Sequence, residues 1–399
     1  MTAHRSTQAC NRYRFGAAHG SRSLVWSIVD LLLAWHFHID LGLTGPETGW
    51  VLFALLMLGG AVTFIAGLTL SRLAATGQLV VKVQLPAAIA AATLLPLQFY
   101  FHEALTVISA GVAFRIAYAV QDVAQNMLAS LLPVNEADAR GYARLRVTLS
   151  AFARCCVVSG FAIALGTGMT VLLIFSSVVV IISAISLRKL EFPSRASRPQ
   201  LPGQDYGTIP TRLPRLLISW AIAAAFLPTF NRLFIFSPAV AGAPRSGAWI
   251  LAGFCFGSVF GPMIPNAISP PILVTMVVSS GSMMLLPMPV AIEGSADMAG
   301  AVVHGVALSL IGVRLWAAAS GIAMAEAQGG RSRDGIVFGS VILTIHLASA
   351  VGMLVLGPLI EGFEAGRVGT TLTALTFTVL GALLLSAITP NGRTAIVAA

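Results

Sequence analysis

Apolar stretches of about twenty residues recur twelve times along this 399-residue chain, and each is long enough to cross roughly 30 Å of hydrocarbon. No other feature narrows the possible folds so far. Inside hydrocarbon, every backbone N–H and C=O must find its partner within the same segment, so the stretches are predicted to be helices. Composition agrees: 57% of the residues are hydrophobic and 10% charged, against about 25% charged in ordinary soluble domains. The expectation is an all-α integral membrane protein.

The apolar windows fall near 23–41, 49–70, 79–101, 104–133, 146–166 and 168–187, then near 216–238, 246–265, 271–289, 298–327, 335–360 and 368–388. Between the two sets, residues 188–215 are rich in Pro, Arg and Ser and lack an apolar period, which marks a linker. The predicted organisation is therefore a tail (1–22), a six-helix bundle (23–187), a linker (188–215), a second six-helix bundle (216–388) and a short tail (389–399). The first 22 residues carry basic side chains but no compact apolar core ending in small residues, so they read as a cytoplasmic tail.

Charge sets the predicted orientation. With both termini inside, the loops assigned to the cytoplasm hold 16 of the 24 Lys and Arg, and the opposite loops hold only Arg245 and Arg367. That bias is the positive-inside pattern of a multi-pass inner (plasma) membrane protein. It also accounts for the net charge of +9 without a nucleic-acid partner; the expected surroundings are the lipid bilayer, with the chain as a monomer. The remaining basic residues, Arg22, Lys82, Arg115, Arg154, Arg232 and Arg314, lie within spans or at their edges.

Four cysteines (Cys10, Cys155, Cys156, Cys255) form no CxxC and no Cys/His cluster, so neither a disulfide framework nor a metal or cofactor site is supported. GxSxG, GxxxxGK[ST] and HExxH are absent. No enzymatic chemistry is expected, and the missing phosphate loop argues against ATP-driven transport by this chain alone.

The two halves resemble each other internally. "RIAYAVQDVAQ" from Arg115 lies over "RLWAAASGIAM" from Arg314, with Gly321 in the place of Asp122. Six helices, a basic linker and six helices resemble the layout of a major facilitator transporter, in which two homologous bundles rock about a central site. Four stretches resemble one group within it, the glycoside, pentoside and hexuronide cation symporters related to the melibiose carrier. These are "HGSRSLVWSIVDLLLAWHFHIDLGLTGPETGWVLF" in helix 1 and its loop, "GAVTFIAG" in helix 2, "LLPVNEADARGYARLRVTLSAFA" between helices 4 and 5, and "RSRDG" before helix 11.

The resemblance implies a central solute site. It puts His346, eleven residues after Gly335, at the position of a cavity-lining cationic side chain in helix 11. The residues say as much: an ionisable group at mid-depth is costly unless it faces a wet interior, and a histidine changes charge near neutral pH. A neutral imidazole bonded to a neighbouring helix is the structural alternative. Asp122 shares a helical face with Tyr118 and Asn126. The resemblance implies a solute-binding aspartate in this part of helix 4, and counting back from the helix 5 arginine lands on Gln121 or Asp122; a carboxylate there can accept paired hydrogen bonds from sugar hydroxyls, and the alternative is a structural partner for Arg154 or Arg115. Arg146 matches the group's helix 5 arginine, and Arg154, eight residues on, shares nearly the same face. Spacing does not choose between them.

Departures from the group bear on coupling. Its sodium-coupled members carry aspartates where this chain has Gly60 and Phe64, and an acidic residue early in helix 1 where it has Arg22 and Ser23. Sodium, which needs several oxygens, is poorly provided for. Proton coupling through Asp122, Asp30 or His346 is the expected replacement. Arg140 and Arg144, and Arg331, Arg333 and Asp334, occupy equivalent loops of the two halves; they are candidates for gating, with plain positive-inside charge as the alternative. The tryptophans are left unassigned, since interface belts use them too.

The function expected is proton-coupled symport of a small polar organic solute (a sugar, glycoside or hexuronate) by alternating access. Two alternatives remain open: export of a drug or apolar metabolite, and a non-transporting role in assembly or sensing on the same fold.

Overall fold

The structure, a computed structural model, describes residues 2–73, 76–164, 169–193, 210, 212–226, 244–264, 270–285, 290–328 and 333–365, with 376, 379–381 and 383. Among them eleven α-helices follow in order: α1 (Thr2–Trp35), α2 (Gly45–Arg72), α3 (Gly77–Tyr100), α4 (Ala104–Leu131), α5 (Glu136–Ala164), α6 (Met169–Ser186), α7 (Leu213–Phe226), α8 (Pro244–Phe260), α9 (Pro270–Leu285), α10 (Val290–Gln328) and α11 (Asp334–Glu364). No strand occurs among the described residues. Most of the linker, Arg232, Arg331 and nearly all of the predicted span at 368–388 lie outside them.

Six helices, α2, α3, α4, α6, α10 and α11, are long and apolar enough to cross a membrane. The protein is an integral, multi-pass membrane protein. Most helices coincide with the apolar windows to within a few residues; α1, α5 and α10 begin eight or more residues before theirs, and α7 is described only as far as Phe226. The expected tail is helical: α1 starts at Thr2, not near residue 23, and its 34 residues make a rod of about 51 Å. Docking explains the extension. Asn11 bonds the backbone of Glu191 through both ends of its amide, at 2.6 and 3.2 Å, and Phe15 meets Tyr142 of α5 edge-on. Arg12 pairs with Asp138. Helix α5 likewise begins ten residues before its apolar window, because Asn135 caps it by accepting the Asp138 N–H at 2.9 Å.

Helix α2 has a stronger start. Thr44 and Glu47 form a capping box, with Pro46 just inside the first turn. From there α2 runs antiparallel to α11 and joins the first half to the second along its whole length. Glycine makes the approach possible. A Cβ on Gly67 would lie 2.3 Å from the carbonyl oxygen of Gly335, so the two backbones touch where any side chain would hold them apart. One polar contact sits near each end of this seam: Ile336 N–H donates to Ser71 Oγ at 3.0 Å, and Gly45 N–H donates to a Glu361 carboxylate oxygen at 3.0 Å. Helix α5 makes a second seam against α8 and α10.

Candidate functional site

Between the halves lies a cavity of about 210 Å³. Helix α1 lines it with His19, Arg22, Ser23, Trp26 and Ser27, α4 with Tyr118, Asp122 and Asn126, and α5 with Arg146, Ser150 and Arg154. The second half contributes Trp316 from α10 and Ile342, Ile345 and His346 from α11. On α4 and α5 the lining residues recur every fourth position, and on α1 they recur at three- and four-residue steps, so each helix turns one polar stripe inward.

The polar groups of the first half form one network. Arg22 donates to the carboxylate of Asp122 and, at 3.2 Å, to its backbone carbonyl. Asn126, one turn along α4, donates its amide to the same carboxylate at 3.0 Å and accepts from Arg146. His19 lies 3.1 Å from Arg22 through Nδ1 and 3.0 Å from the Ser150 hydroxyl through Nε2, and Ser150 meets Ser23 at 2.9 Å. Three helices are thereby cross-linked by groups that hydrocarbon could not solvate.

The second half adds rings. Arg146 lies over Trp316 with its guanidinium carbon 3.7 Å from the ring centroid, a cation–π contact across the two halves. His346 stacks on Trp26 at 5.3 Å, Trp26 stacks on Tyr118 at 5.3 Å, and Arg115 sits behind Trp26 at 4.9 Å. Gly60 lets His346 come so close: a Cβ at residue 60 would lie 2.9 Å from the Cβ of His346. Any side chain at residue 60 would displace His346 from this position.

Asp122, Asn126, Tyr118, Arg146, Arg154 and His346, expected at one site, all line the cavity. Both arginines of the unresolved pair face it, and Arg146, counted among the loop charges, is instead 2% exposed and ten residues inside α5. Asp122 pairs with Arg22, read from the sequence as standing early in helix 1 in place of the group's acidic residue, where Arg154 or Arg115 had been the expected partners. Asp30 is buried one turn beyond Trp26, within electrostatic reach of Tyr118 and His346, but does not line the cavity.

The gating candidates lie apart from it. Arg140 is exposed and Arg144 half-buried, Asp334 opens α11, and Arg333 pairs at 3.2 Å with Glu326 of its own half. Arg331 is outside the described residues. Sequence reading missed His19, Ser27 and Ser150, and left Trp26 and Trp316 unassigned. Their signal was present for α1: His19, Ser23, Trp26 and Asp30 repeat at helical spacing, but the expected tail boundary cut that face in two.

The described residues thus form a multi-pass helical architecture with a charged cavity between its two halves. Comparison with solved structures gives that architecture its name. The human organic anion transporter MFSD10 (TETRAN) superposes with a TM-score of 0.67 at 12% identity, over 95% of this chain and 99% of that one. The E. coli fucose:proton symporter FucP gives 0.63 at 12% identity over 96% and 98%, and the proton:xylose symporter XylE 0.65 at 11% over 97% of each chain. The chain has the major facilitator fold. No protein-family model and no curated protein sequence matches it, so the narrower likeness to the melibiose-carrier group rests on the quoted stretches alone.

Proposed function

We propose that this protein is a secondary active transporter that moves a small polar organic solute across an inner or plasma membrane by alternating access, with both termini cytoplasmic and the chain working as a monomer. The observation that carries the reading is the composition of the cavity: charged groups from α1, α4 and α5 face stacked rings from α10 and α11. A solute held there touches both halves, so its binding energy acts on their relative position. At about 210 Å³ the cavity falls below the ~300–1,000 Å³ of drug-sized sites and suits a small solute.

Proton symport is the favoured coupling. Asp122 is held by a cation, so protonating its carboxylate would release Arg22 and loosen α1 from α4; Asp30 and His346 are the other candidate carriers. FucP and XylE, which share the fold, are described as proton symporters. Gating at the end read as cytoplasmic is assigned to the Gly67–Gly335 contact and the Ser71–Ile336 hydrogen bond, with Arg140, Arg144, Arg333 and Asp334, and Arg331 by its place in the sequence, as the further gating candidates.

The test is thermal stabilisation of the purified protein by glycosides, pentosides, hexuronates and lipophilic cations, followed by counterflow of the best ligand in proteoliposomes at two pH values. A ligand that binds only the folded state raises the melting temperature. Stabilisation by a polar solute, with uptake driven by an inward proton gradient, is expected. Stabilisation by lipophilic cations alone would overturn the reading in favour of an exporter of apolar compounds.

A further inference from the structure

The charges that line the cavity do not balance. Three guanidinium groups, from Arg22, Arg146 and Arg154, face one carboxylate, Asp122, which leaves two positive charges in excess. That carboxylate is already taken by Arg22. Just outside the lining, Arg115 and Asp30 bring one charge of each sign and change nothing in the difference. His19 and His346 supply no negative charge.

The donors do not balance either. Arg146 is 2% exposed and donates through Nη2 to Asn126, while its Nε and Nη1 are buried and meet no hydrogen-bond partner among the described residues. Nε of Arg154, two turns along the same helix, is in the same condition. Unmet donors on a buried cation are costly, and water can satisfy the N–H groups without neutralising the charge.

We infer that the transported solute is a small organic anion whose carboxylate is bound by Arg146, with Arg154 as a second positive group. This rests on the transporter reading and narrows its substrate class. A carboxylate presents two oxygens to the guanidinium fork. Around that point Ser23, Ser27 and Ser150 line the same cavity and offer hydroxyls to a hydroxylated body. Asp122, neutralised by Arg22, does not repel the anion as an unpaired carboxylate would.

The experiment compares acids with their neutral counterparts: glucuronate with its methyl ester, lactate with glycerol, and nicotinate with nicotinamide, plus glucose 6-phosphate. Binding is read by thermal shift and by competition in counterflow. The expected result is that the acid of at least one pair binds tenfold or more tightly than its neutral partner. Arg154→Gln should weaken that acid by between about tenfold and a hundredfold and leave the neutral partner within about twofold. Arg146→Lys keeps the charge and loses the fork, so it should weaken the acid while the protein stays folded.

Neutral members that bind as well as their acids, with transport intact, would overturn the anion inference and spare the transporter reading. Glucose 6-phosphate binding more tightly than every carboxylate would overturn the carboxylate assignment. Silence from all acids at millimolar concentration, with stabilisation by lipophilic cations, would remove both readings together.

Discussion

Replacing Asp122 with asparagine keeps the shape of the side chain and one acceptor oxygen but removes the charge that faces Arg22. The side chains of the pair are 7% and 11% exposed, so little water remains to take over. Arg22 would keep its contacts to the Asp122 backbone carbonyl at 3.2 Å and to His19 at 3.1 Å, so the loss is mainly Coulombic. Two unit charges about 4 Å apart attract by about 4 kcal/mol at an effective dielectric near 20. That agrees with the ~3–5 kcal/mol lost when one member of a buried pair is removed.

Arg22→Gln should cost a similar amount, because it strands Asp122 with the Asn126 amide as its remaining named donor. The double variant, Arg22→Gln with Asp122→Asn, joins two neutral amides and should cost about 3 kcal/mol less than the two single losses added together, a coupling at the upper end of that for residues in contact. SDS-titration unfolding of the purified single and double variants measures it. If the two single losses simply add in the double variant, the pair does not hold α1 to α4 as the network requires.

Three further outcomes follow from the seams between the halves. Gly67→Ala puts a methyl group 2.3 Å from the Gly335 carbonyl oxygen and should destabilise the protein by about 1–3 kcal/mol, whereas Gly321→Ala, with nothing within 4 Å, should be nearly silent in the same unfolding assay. The thiols of Cys155 on α5 and Cys255 on α8 are free and lie near enough across the interface to act on each other. Copper-phenanthroline oxidation should therefore cross-link the halves, seen by gel after cleavage in the linker, and Cys156→Ser should not prevent it; absence of the cross-link would contradict the α5–α8 seam. Trp316→Leu removes the ring under Arg146 and should lower stability by about 1–2 kcal/mol, and unchanged unfolding would refute the cation–π contact.

Hydrocarbon acts on each segment by itself, which is why most of the helices were legible along the chain. A run such as 104–133 has to close its backbone hydrogen bonds internally, and the helix observed, Ala104–Leu131, differs by only two residues. The every-fourth-residue stripes on α4 and α5 were legible for the same reason, since helical pitch is a local property. Helices α1 and α5 were misjudged at their starts because those turns are polar, and what folds them is contact with one another: Arg12 with Asp138 and Phe15 with Tyr142. Only the tertiary structure chose Arg22 as the partner of Asp122, laid Trp316 under Arg146 from the other half, and required Gly60 and Gly67 to be bare. These pairings join residues between 100 and 286 positions apart. The sequence by itself determined which faces are polar; which face meets which was decided by how the bundles pack, because charge pairing and close contact depend on distances in space that no local period encodes.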